Sequence, residues 1–305
     1  MRSDNESRPR LLLFGARGQL GSDCQEIFAG HFKVIPLGSG QLDLRDGVAV
    51  ERKVLEVGPQ VILNAAAHTR VDDCEKEVDD AFLINAEAPA RMARAAREVG
   101  ALLVQVSTDY VFPGDRRPPA GYVENDPVGP VSVYGRSKLA GEERIKESGC
   151  EYIIARTAWL YGGRGKNFLK TMLRLSLSDP DRERKVVADQ WGCPTWSMTL
   201  AQQLLQLVES DARGLFHAVG EGETTWYGLA VAFLDLMARP HILVPCTTAE
   251  YPTPARRPEN SILLNCRLAE NGFLRMRPWR DDLAAFVAAC GPQLLREVGE
   301  SVESR

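Results

Sequence analysis

Three glycines spaced three residues apart near the start of the chain are its most constraining feature. Gly15, Gly18 and Gly21 directly follow the apolar run 11–14, so a buried strand is expected to end in a tight turn from which a helix begins. Such a turn lets the backbone approach a pyrophosphate, and the helix N-terminus offers free N–H groups to it. The spacing alone also fits a plain glycine turn, but its place directly after a strand favours a dinucleotide site. The loop residues predicted to bind the coenzyme are Gly15, Arg17, Gly18, Gln19, Leu20 and Gly21.

The first half of the chain alternates short apolar runs with longer amphipathic stretches, as βαβ units do. The first run is apolar throughout, which is typical of a strand buried on both faces of a parallel sheet. Helices are predicted over 20–28 and 81–99, the second ended by Gly100. The predicted strands are 11–14, 32–37, 61–63, 102–106 and 152–155. The predicted fold class is therefore α/β, with a doubly wound parallel Rossmann-type sheet.

The alternation of apolar and amphipathic segments becomes less regular after Arg156. The segments there are shorter, and proline and aromatic residues are more frequent. This pattern predicts a smaller, interleaved C-terminal substrate-binding domain that caps the sheet. The predicted boundaries are 9–157 for the dinucleotide-binding domain, with a returning segment near 186–220, and 158–185 plus 221–296 for the substrate-binding domain.

Two features of the second half support this interleaving. Val186, Val187 and the run 215–219 are predicted to form short strands that return to the main sheet. The segment 251–258 contains three prolines together with Arg256 and Arg257, which predicts an ordered loop or a lid.

Composition excludes several other classes of protein. The net charge is −4 and basic residues are interspersed with acidic ones, so no basic face for nucleic acid is evident. The seven cysteines are scattered without a Cys-x-x-Cys pair, which indicates reduced cytosolic thiols rather than disulfides or a zinc site. The first ten residues are polar, and no apolar run approaches the roughly 20 residues of a membrane helix. We expect a soluble, cytoplasmic protein that binds neither nucleic acid nor membrane.

The coenzyme prediction leans toward NADPH rather than NADH. Sheets that bind NAD commonly carry an acidic residue at the end of the second strand, whereas an arginine suits a 2′-phosphate. Here that strand ends in Leu37-Gly38-Ser39, without a carboxylate, and Arg17 lies in the glycine loop. Asp43 and Leu44 are candidates to flank the adenine. The alternative for Asp43 is a helix cap before Asp46.

A tyrosine and a lysine are spaced to share one face of a helix. Tyr134 and Lys138 stand at positions i and i+4, about one turn apart. A nearby ammonium favours phenolate over phenol, so we expect Lys138 to lower the pKa of Tyr134 toward the working range of a general acid. The alternative is an exposed, non-catalytic pair on a helix flank. A catalytic pair would serve the reduction of a carbonyl group.

Two hydroxyl side chains follow the fourth predicted strand. The strand 102–106 leads directly into Ser107 and Thr108, and ligands bind at the C-terminal ends of parallel strands. Thr108 is therefore predicted to hydrogen-bond the oxygen of the reacting carbonyl. A simple turn at the strand end is the alternative, but its coincidence with the glycine loop and the Tyr/Lys helix favours catalysis.

These motifs resemble the extended short-chain dehydrogenase/reductases, and most closely the dTDP-4-dehydrorhamnose reductase family. The likeness covers nearly the whole chain, and its later motifs are specific to this branch. It implies NAD(P)H-dependent reduction of the C4 ketone of dTDP-4-dehydro-L-rhamnose to dTDP-L-rhamnose. The resembling segments are 15–21, 64–69, 107–112, 134–138, 156–162, 165–168, 189–195 and 251–258.

The resemblance also implies roles for individual residues. Tyr134 would donate a proton to the C4 oxygen, Lys138 would tune it and bind the nicotinamide ribose, and Thr108 would polarise the ketone. Further coenzyme contacts are implied for Ala66, Ala67 and His68. Contacts with the nucleotide sugar are implied for Thr69, Asp109, Tyr110, Trp159, Asn167, Lys170 and Arg257. The last three are candidates for the diphosphate, with a surface position or a structural ion pair as an equal alternative.

The chain departs from the family pattern at Gly38, where relatives often have aspartate, and this weighs against strict use of NADH. Some relatives bind Mg²⁺ at a dimer contact through glutamates. We match those glutamates to no position in this sequence, so Mg²⁺ binding and a homodimer stay open.

Two other functions share parts of this pattern. Nucleotide-sugar epimerases and dehydratases have the glycine loop and the Tyr/Lys pair, but dehydratases tend to carry a glutamate directly after the Thr-Asp pair, where this chain has Tyr110. A non-catalytic regulatory subunit, of the methionine adenosyltransferase type, resembles the same family. A protein that only binds a partner has no need for Tyr134, Lys138 and Thr108 together. Their presence therefore favours an enzyme.

Overall fold

A six-stranded sheet forms the centre of the computed structural model, which describes residues 8–303. In chain order, the strands are β1 (Arg10–Phe14), β2 (Lys33–Leu37), β3 (Val61–Asn64), β4 (Leu102–Thr108), β5 (Tyr152–Thr157), β6 (Leu160–Tyr161), β7 (Glu183–Val187), β8 (Trp191–Gly192), β9 (Thr195–Trp196), β10 (Gly214–His217), β11 (Thr224–Thr225) and β12 (Ile242–Cys246). The central sheet has the order β10-β5-β4-β3-β1-β2, and every neighbouring pair is parallel. The predicted α/β fold class is confirmed.

The strand order reverses beside β1, which has β2 on one side and β3 on the other. The chain therefore leaves β1 in one direction and β3 in the opposite direction. Phe14 and Asn64 are paired at the C-terminal ends of these two strands, so the loops that follow them diverge and leave a crevice. Parallel sheets bind ligands at such a reversal.

Helices cover both faces of the sheet. The α-helices are α1 (Gln19–Phe28), α2 (Gly47–Val57), α3 (Val71–Cys74), α4 (Val78–Phe82), α5 (Ala88–Val99), α6 (Val133–Glu147), α7 (Phe168–Ser178), α8 (Ser197–Glu209), α9 (Trp226–Leu236), α10 (Cys266–Glu270) and α11 (Trp279–Glu303). Helices α1 and α8 pack on one face through Leu20, Phe28 and Leu204, whereas α2 and α5 pack on the other through Val54 and Met92. Because both faces are covered, β1 is apolar along nearly its whole length.

The predicted helix over 81–99 consists of consecutive helical segments. Helix α4 leads into a π-helix, Leu83–Glu87, and then into α5. Pro89 has no backbone N–H to donate to the Asn85 carbonyl four residues earlier, which favours this local widening. The freed carbonyl lies so close to α6 that a Cβ on Gly141 would be 2.2 Å from it. Gly100 ends α5 in the left-handed conformation (φ 67°), as predicted.

Of the two strands predicted to return to the central sheet, only one does so. Strand β10 lies at 214–217 and pairs with β5 in the central sheet, in agreement with the prediction for 215–219. The prediction for Val186 and Val187 is wrong, because β7 pairs with β12 in a separate two-stranded sheet. Only Val186 of that strand is fully buried, so the strand lacks the apolar character that a position inside the central sheet requires.

The C-terminal half has a hydrophobic core of its own. Helices α7, α9 and α11 meet through Leu173, Phe233 and Phe286, with Val186 of β7 beside them. Short strand pairs, β6 with β9 and β8 with β11, connect this core to the end of the central sheet. Across residues 8–303, none of the helices combines the length and the apolar character needed to cross a bilayer.

Candidate active site

A cleft of about 930 Å³ opens at the C-terminal ends of β1, β3, β4 and β5, and both halves of the chain line it. This is the place where the reversal of strand order predicts a ligand crevice. Most of the predicted site residues meet there. They are Gly15, Arg17, Gly18, Gln19, Leu20, Asp43, Leu44, Ala66, Ala67, Thr69, Thr108, Asp109, Tyr110, Tyr134, Lys138, Trp159 and Arg257.

The three loop glycines have different physical roles. Gly15 has a φ of 78°, and a Cβ there would lie 2.7 Å from the Ala66 nitrogen. A Cβ on Gly21 would lie 2.1 Å from the Gly15 carbonyl oxygen, so Gly21 is required for packing of the helix on the turn. Gly18 is the N-cap of α1 and has no side chain to occupy the free N–H groups. The loop therefore fits a dinucleotide, with its pyrophosphate at the N-terminus of α1.

Two arginines lie at the far end of the cleft, beyond β2. Arg45 is held by Asp43, with Nη2 2.6 Å from Oδ2. Arg17 lies against Gly38, where a Cβ would be 3.1 Å from its Cδ, and within residues 8–303 it makes no ion pair. The cap of α2 is Asp46, which accepts from the Ala49 N–H at 2.9 Å, so Asp43 does not have the capping role. Arg17 is thus the cation available to a coenzyme phosphate.

Helix α6 brings Tyr134 and Lys138 to the cleft beside the C-terminal end of β4. Ser132 caps the helix by accepting from the Gly135 N–H at 3.1 Å. A Cβ on Gly135 would lie 2.2 Å from the Tyr110 carbonyl oxygen, so this glycine lets the helix approach the end of β4. The Lys138 ammonium donates to the Val106 carbonyl at 2.7 Å. Helix α6 is therefore attached to the strand that carries Thr108.

The protonation of Tyr134 differs from the prediction. Burial raises the pKa of Tyr134 above its usual range, opposed by a hydrogen bond with Thr108, and Lys138 is not among the groups that shift it. The predicted lowering of the Tyr134 pKa by Lys138 is therefore wrong for this structure, because removal of water from the phenol dominates. Burial also lowers the pKa of Lys138 to about 8, against the attraction of Glu142. Tyr134 is accordingly a neutral phenol with a proton to give.

Thr108 connects the phenol to a buried carboxyl group. Its hydroxyl donates to Asp109 Oδ1 at 3.0 Å and accepts from the Tyr110 N–H at 3.2 Å. Burial raises the pKa of Asp109 to about 6, with Thr108 among the hydrogen bonds that oppose the shift. At neutral pH the carboxylate accepts from Thr108, so the single hydroxyl proton points toward Asp109.

A buried ion pair supports the site from behind. The Arg156 guanidinium is bidentate to Glu142, at 2.9 and 2.7 Å, and Glu142 also accepts from the Ser107 hydroxyl at 2.6 Å. The pair joins α6 to β4 and β5 at the level of Lys138 and Thr108. Loss of one partner would leave the other charge buried and unpaired.

Two tryptophans, Trp159 and Trp226, form part of the wall of the cleft. Trp159 adopts a positive φ of 44°, which is rare for a bulky residue and marks a constrained position. Its indole stacks on that of Trp226, with ring centroids 3.6 Å apart. Gly192 lies on Trp159 so closely that a Cβ would be 2.4 Å from the indole. Both tryptophans line the cleft and a smaller neighbouring pocket of about 200 Å³.

Three comparisons with known proteins agree on the family. The family model described as "RmlD substrate binding domain" matches residues 9–291. The chain belongs to the dTDP-4-dehydrorhamnose reductase family. A dTDP-4-dehydrorhamnose reductase from Streptomyces griseus is 42% identical over 294 residues, covering 93% of this chain and 95% of the relative.

Solved structures of this family have the same fold. The dTDP-4-dehydrorhamnose reductase of Clostridium acetobutylicum has a TM-score of 0.88 and 41% identity, covering 92% of this chain and 99% of that one. The Bacillus anthracis dTDP-4-dehydrorhamnose reductase, solved in complex with NADP, has a TM-score of 0.88 and 38% identity with the same coverage. The family resemblance predicted from the motifs is therefore confirmed.

Some residues implied by the family resemblance lie outside the main cleft. The His68 imidazole is buried between Cys74 and Glu77, with Nε2 2.7 Å from Glu77 Oε2. Lys170 pairs with Glu297 at 3.2 Å, so it has the structural role that was its alternative. Asn167 lines the smaller pocket, caps α7 by accepting from the Lys170 N–H, and donates to Gln19 at 2.8 Å. Among the described residues, no group of His, Cys, Asp and Glu is placed to hold a metal ion.

The structure adds residues that the sequence analysis did not predict. Trp226 and Lys166 line the cleft and the smaller pocket respectively, and the Glu142–Arg156 pair lies directly behind the catalytic groups. Trp226 begins an apolar helix and is indistinguishable in sequence from a core aromatic residue. The sequence gives one indication of the Glu142–Arg156 pair, because Glu142 stands four residues after Lys138 and so shares its helix face.

Proposed function

We propose that this protein reduces the C4 ketone of dTDP-4-dehydro-L-rhamnose to dTDP-L-rhamnose with NAD(P)H. The observation that carries the proposal is that Tyr134, Lys138 and Thr108 line one cleft with the glycine loop, where the dinucleotide crevice opens onto the C-terminal half. This common lining supports a proton donor beside the nicotinamide of a bound coenzyme. Its chemistry agrees with the activity named for the family relatives.

The residues of this chain have distinct tasks in that reaction. The bound coenzyme supplies the hydride for C4. Tyr134, neutral in its buried position, donates the proton to the C4 oxygen, and Thr108 turns its single O–H from Asp109 to that oxygen when the ketone is bound. Lys138 holds the coenzyme ribose, and the sugar is surrounded by Thr69, Tyr110, Trp159 and Arg257.

We propose that NADPH is the preferred coenzyme. Arg17 lies against Gly38 in the loop after β2, where the missing side chain leaves space for it, and it has no ion-pair partner among the described residues. A carboxylate at position 38 would attract Arg17 and repel a 2′-phosphate. The planar guanidinium is suited to two hydrogen bonds with phosphate oxygens.

The diphosphate and nucleoside of the substrate are proposed to extend toward the smaller pocket. That pocket adjoins the cleft at Trp159 and Trp226, and it has Lys166 and Asn167 on its wall. In this proposal Lys166 contacts the diphosphate, the role that the family resemblance implied for Lys170.

The decisive experiment mixes the purified protein with NADPH and dTDP-4-dehydro-L-rhamnose and follows absorbance together with the sugar product. We expect one NADPH consumed for each dTDP-L-rhamnose formed. Tyr134→Phe should lower kcat by about 10²–10⁴-fold, the contribution typical of general acid catalysis. Conversion of the sugar without net loss of NADPH would indicate an epimerase or dehydratase, and binding without turnover would indicate a regulatory subunit. Full activity of Tyr134→Phe would remove the assignment of the acid.

A further inference from the structure

A short helix in the N-terminal half holds an arm of the C-terminal half across the cleft. Asp72 lies on α3, and its carboxylate accepts three N–H groups from the segment 251–258, which is more than 180 residues away in sequence. Two of them come from the Arg257 guanidinium, at 3.0 and 2.9 Å, and the third is the Ala255 backbone N–H at 3.1 Å. One carboxylate thereby fixes both the backbone of the arm and its cleft-facing side chain.

The same short helix is also attached to the catalytic helix. Glu75, directly after α3, accepts from the Val133 N–H at 2.8 Å, one residue before Tyr134. Cys74 anchors the other face of α3 in the protein interior, next to His68. Helix α3 therefore connects the start of α6 to the arm, so the position of Arg257 is defined relative to Tyr134.

Arg257 faces the sugar end of the cleft. It lines the cleft together with Tyr110 and Tyr134, and its positive charge opposes the rise that burial causes in the pKa of the Tyr110 phenol. The Tyr110 ring packs edge-on against Tyr134, with centroids 5.6 Å apart. The guanidinium that Asp72 holds therefore lines the same part of the cleft as Tyr110 and Tyr134.

The ion pair is poorly suited to a purely structural role. The side chains of Asp72 and Arg257 are 37% and 20% exposed, and pairs with this much access to water contribute little to folding stability. Bidentate pairing nevertheless fixes the plane of a guanidinium. We propose that Asp72 is a positioning residue, which holds Arg257 and the arm 251–258 over the sugar of the substrate while remaining open enough to release it. This inference rests on the proposed function.

The test compares steady-state kinetics of the full-length chain with those of Asp72→Asn, using dTDP-4-dehydro-L-rhamnose and NADPH. We expect KM for the sugar nucleotide to rise about tenfold, in line with loss of charge-assisted hydrogen bonds, and the Kd for NADPH to stay within about twofold. Asp72→Glu, which retains the charge, should restore part of the loss. Glu151→Gln, which removes the carboxylate of the exposed pair with Arg213, is the matched control and should behave as the wild type.

A double variant separates positioning from general destabilisation. If Asp72 acts through Arg257, then Asp72→Asn should have almost no further effect on KM in an Arg257→Gln background. Additive effects, an unchanged KM in Asp72→Asn, or an equal loss of NADPH affinity would each overturn the proposal. Calorimetric titration with dTDP-L-rhamnose repeats the comparison without turnover. If the wild type binds dTDP-L-rhamnose more tightly than Asp72→Asn does but consumes no NADPH, the proposed reaction is refuted and the role of Asp72 in binding is not.

Discussion

The two ends of the cleft are built in different ways. At the coenzyme end, the surface is largely backbone and small side chains of the loops that follow β1 and β3, over 15–21 and 65–69. At the sugar end, it consists of large side chains from separate stretches of the chain. These are Tyr110, Tyr134, Trp159, Trp226 and Arg257.

This difference determines which kinds of substitution should damage ligand binding at each end. A backbone site is damaged by any added side chain, because the ligand must approach the main chain closely. A site made of side chains is damaged by loss of one, or by a shift of the segment that carries it. Four substitutions test this contrast.

The largest effect is expected from Gly18→Val at the coenzyme end. A Cβ at this position meets only the Gly15 oxygen, at 3.3 Å, so the free protein accommodates it, but the side chain would occupy the phosphate position. We expect NADPH affinity to fall by about 100-fold or more, equivalent to losing one or two hydrogen bonds to a charged group. Titration calorimetry measures this change. Gly21→Val is the contrasting variant, because its clash with Gly15 should instead lower the thermal stability of the protein.

Lys138→Met removes the cation at the junction of the two ends. We expect kcat/KM to fall by about 100-fold and the alkaline limb of its pH profile to disappear. The sign follows from the Lys138 pKa of about 8, since the wild-type lysine is charged below this pH and loses its charge, and the activity that depends on it, above. Lys53→Met, from a surface pair with Glu56, is the control. A limb that persists near pH 8 in Lys138→Met would assign it to another group.

Trp226→Ala tests the side-chain character of the sugar end. Loss of the indole that stacks on Trp159 leaves that residue without its partner, and aromatic pairs contribute about 0.5–1.5 kcal/mol beyond burial. We expect KM for the nucleotide sugar to rise up to about tenfold, with unchanged affinity for NADPH. Trp226→Phe should retain most of the affinity. An equal loss of affinity for the nucleotide sugar and for NADPH would mean that the two ends of the cleft are not independent.

The smallest effect is expected from Arg17→Gln, which removes the cation proposed to contact the 2′-phosphate of NADPH. Its loss should lower the preference for NADPH over NADH by about tenfold, the value of one charge-assisted hydrogen bond. The ratio of kcat/KM for the two coenzymes measures it. Arg45→Gln should change the ratio less, because Asp43 already holds that guanidinium. An unchanged ratio in Arg17→Gln would place the phosphate elsewhere.

Sequence reasoning placed residues correctly where their position depends on short spacing. The glycine loop, the Thr108 strand end and the Tyr134/Lys138 turn each lie within a few residues of a predictable strand or helix, and the structure brings them to one cleft. It failed for Val186 and Val187, since two apolar residues do not specify which strand they pair with. It also failed for the pKa of Tyr134, because spacing reveals the neighbouring charge but not how much water the fold removes from the phenol.

By itself, the sequence determined the parallel α/β sheet, the glycine loop and the family, and it singled out Tyr134 as the candidate proton donor. These follow from residue type and local periodicity, which are written directly in the chain. Only the tertiary structure decided that Asp72 pairs with Arg257, that Trp226 stacks on Trp159 and that His68 and Lys170 point to structural partners. Such contacts depend on how segments far apart in sequence pack together, and packing is set by the whole core rather than by any motif.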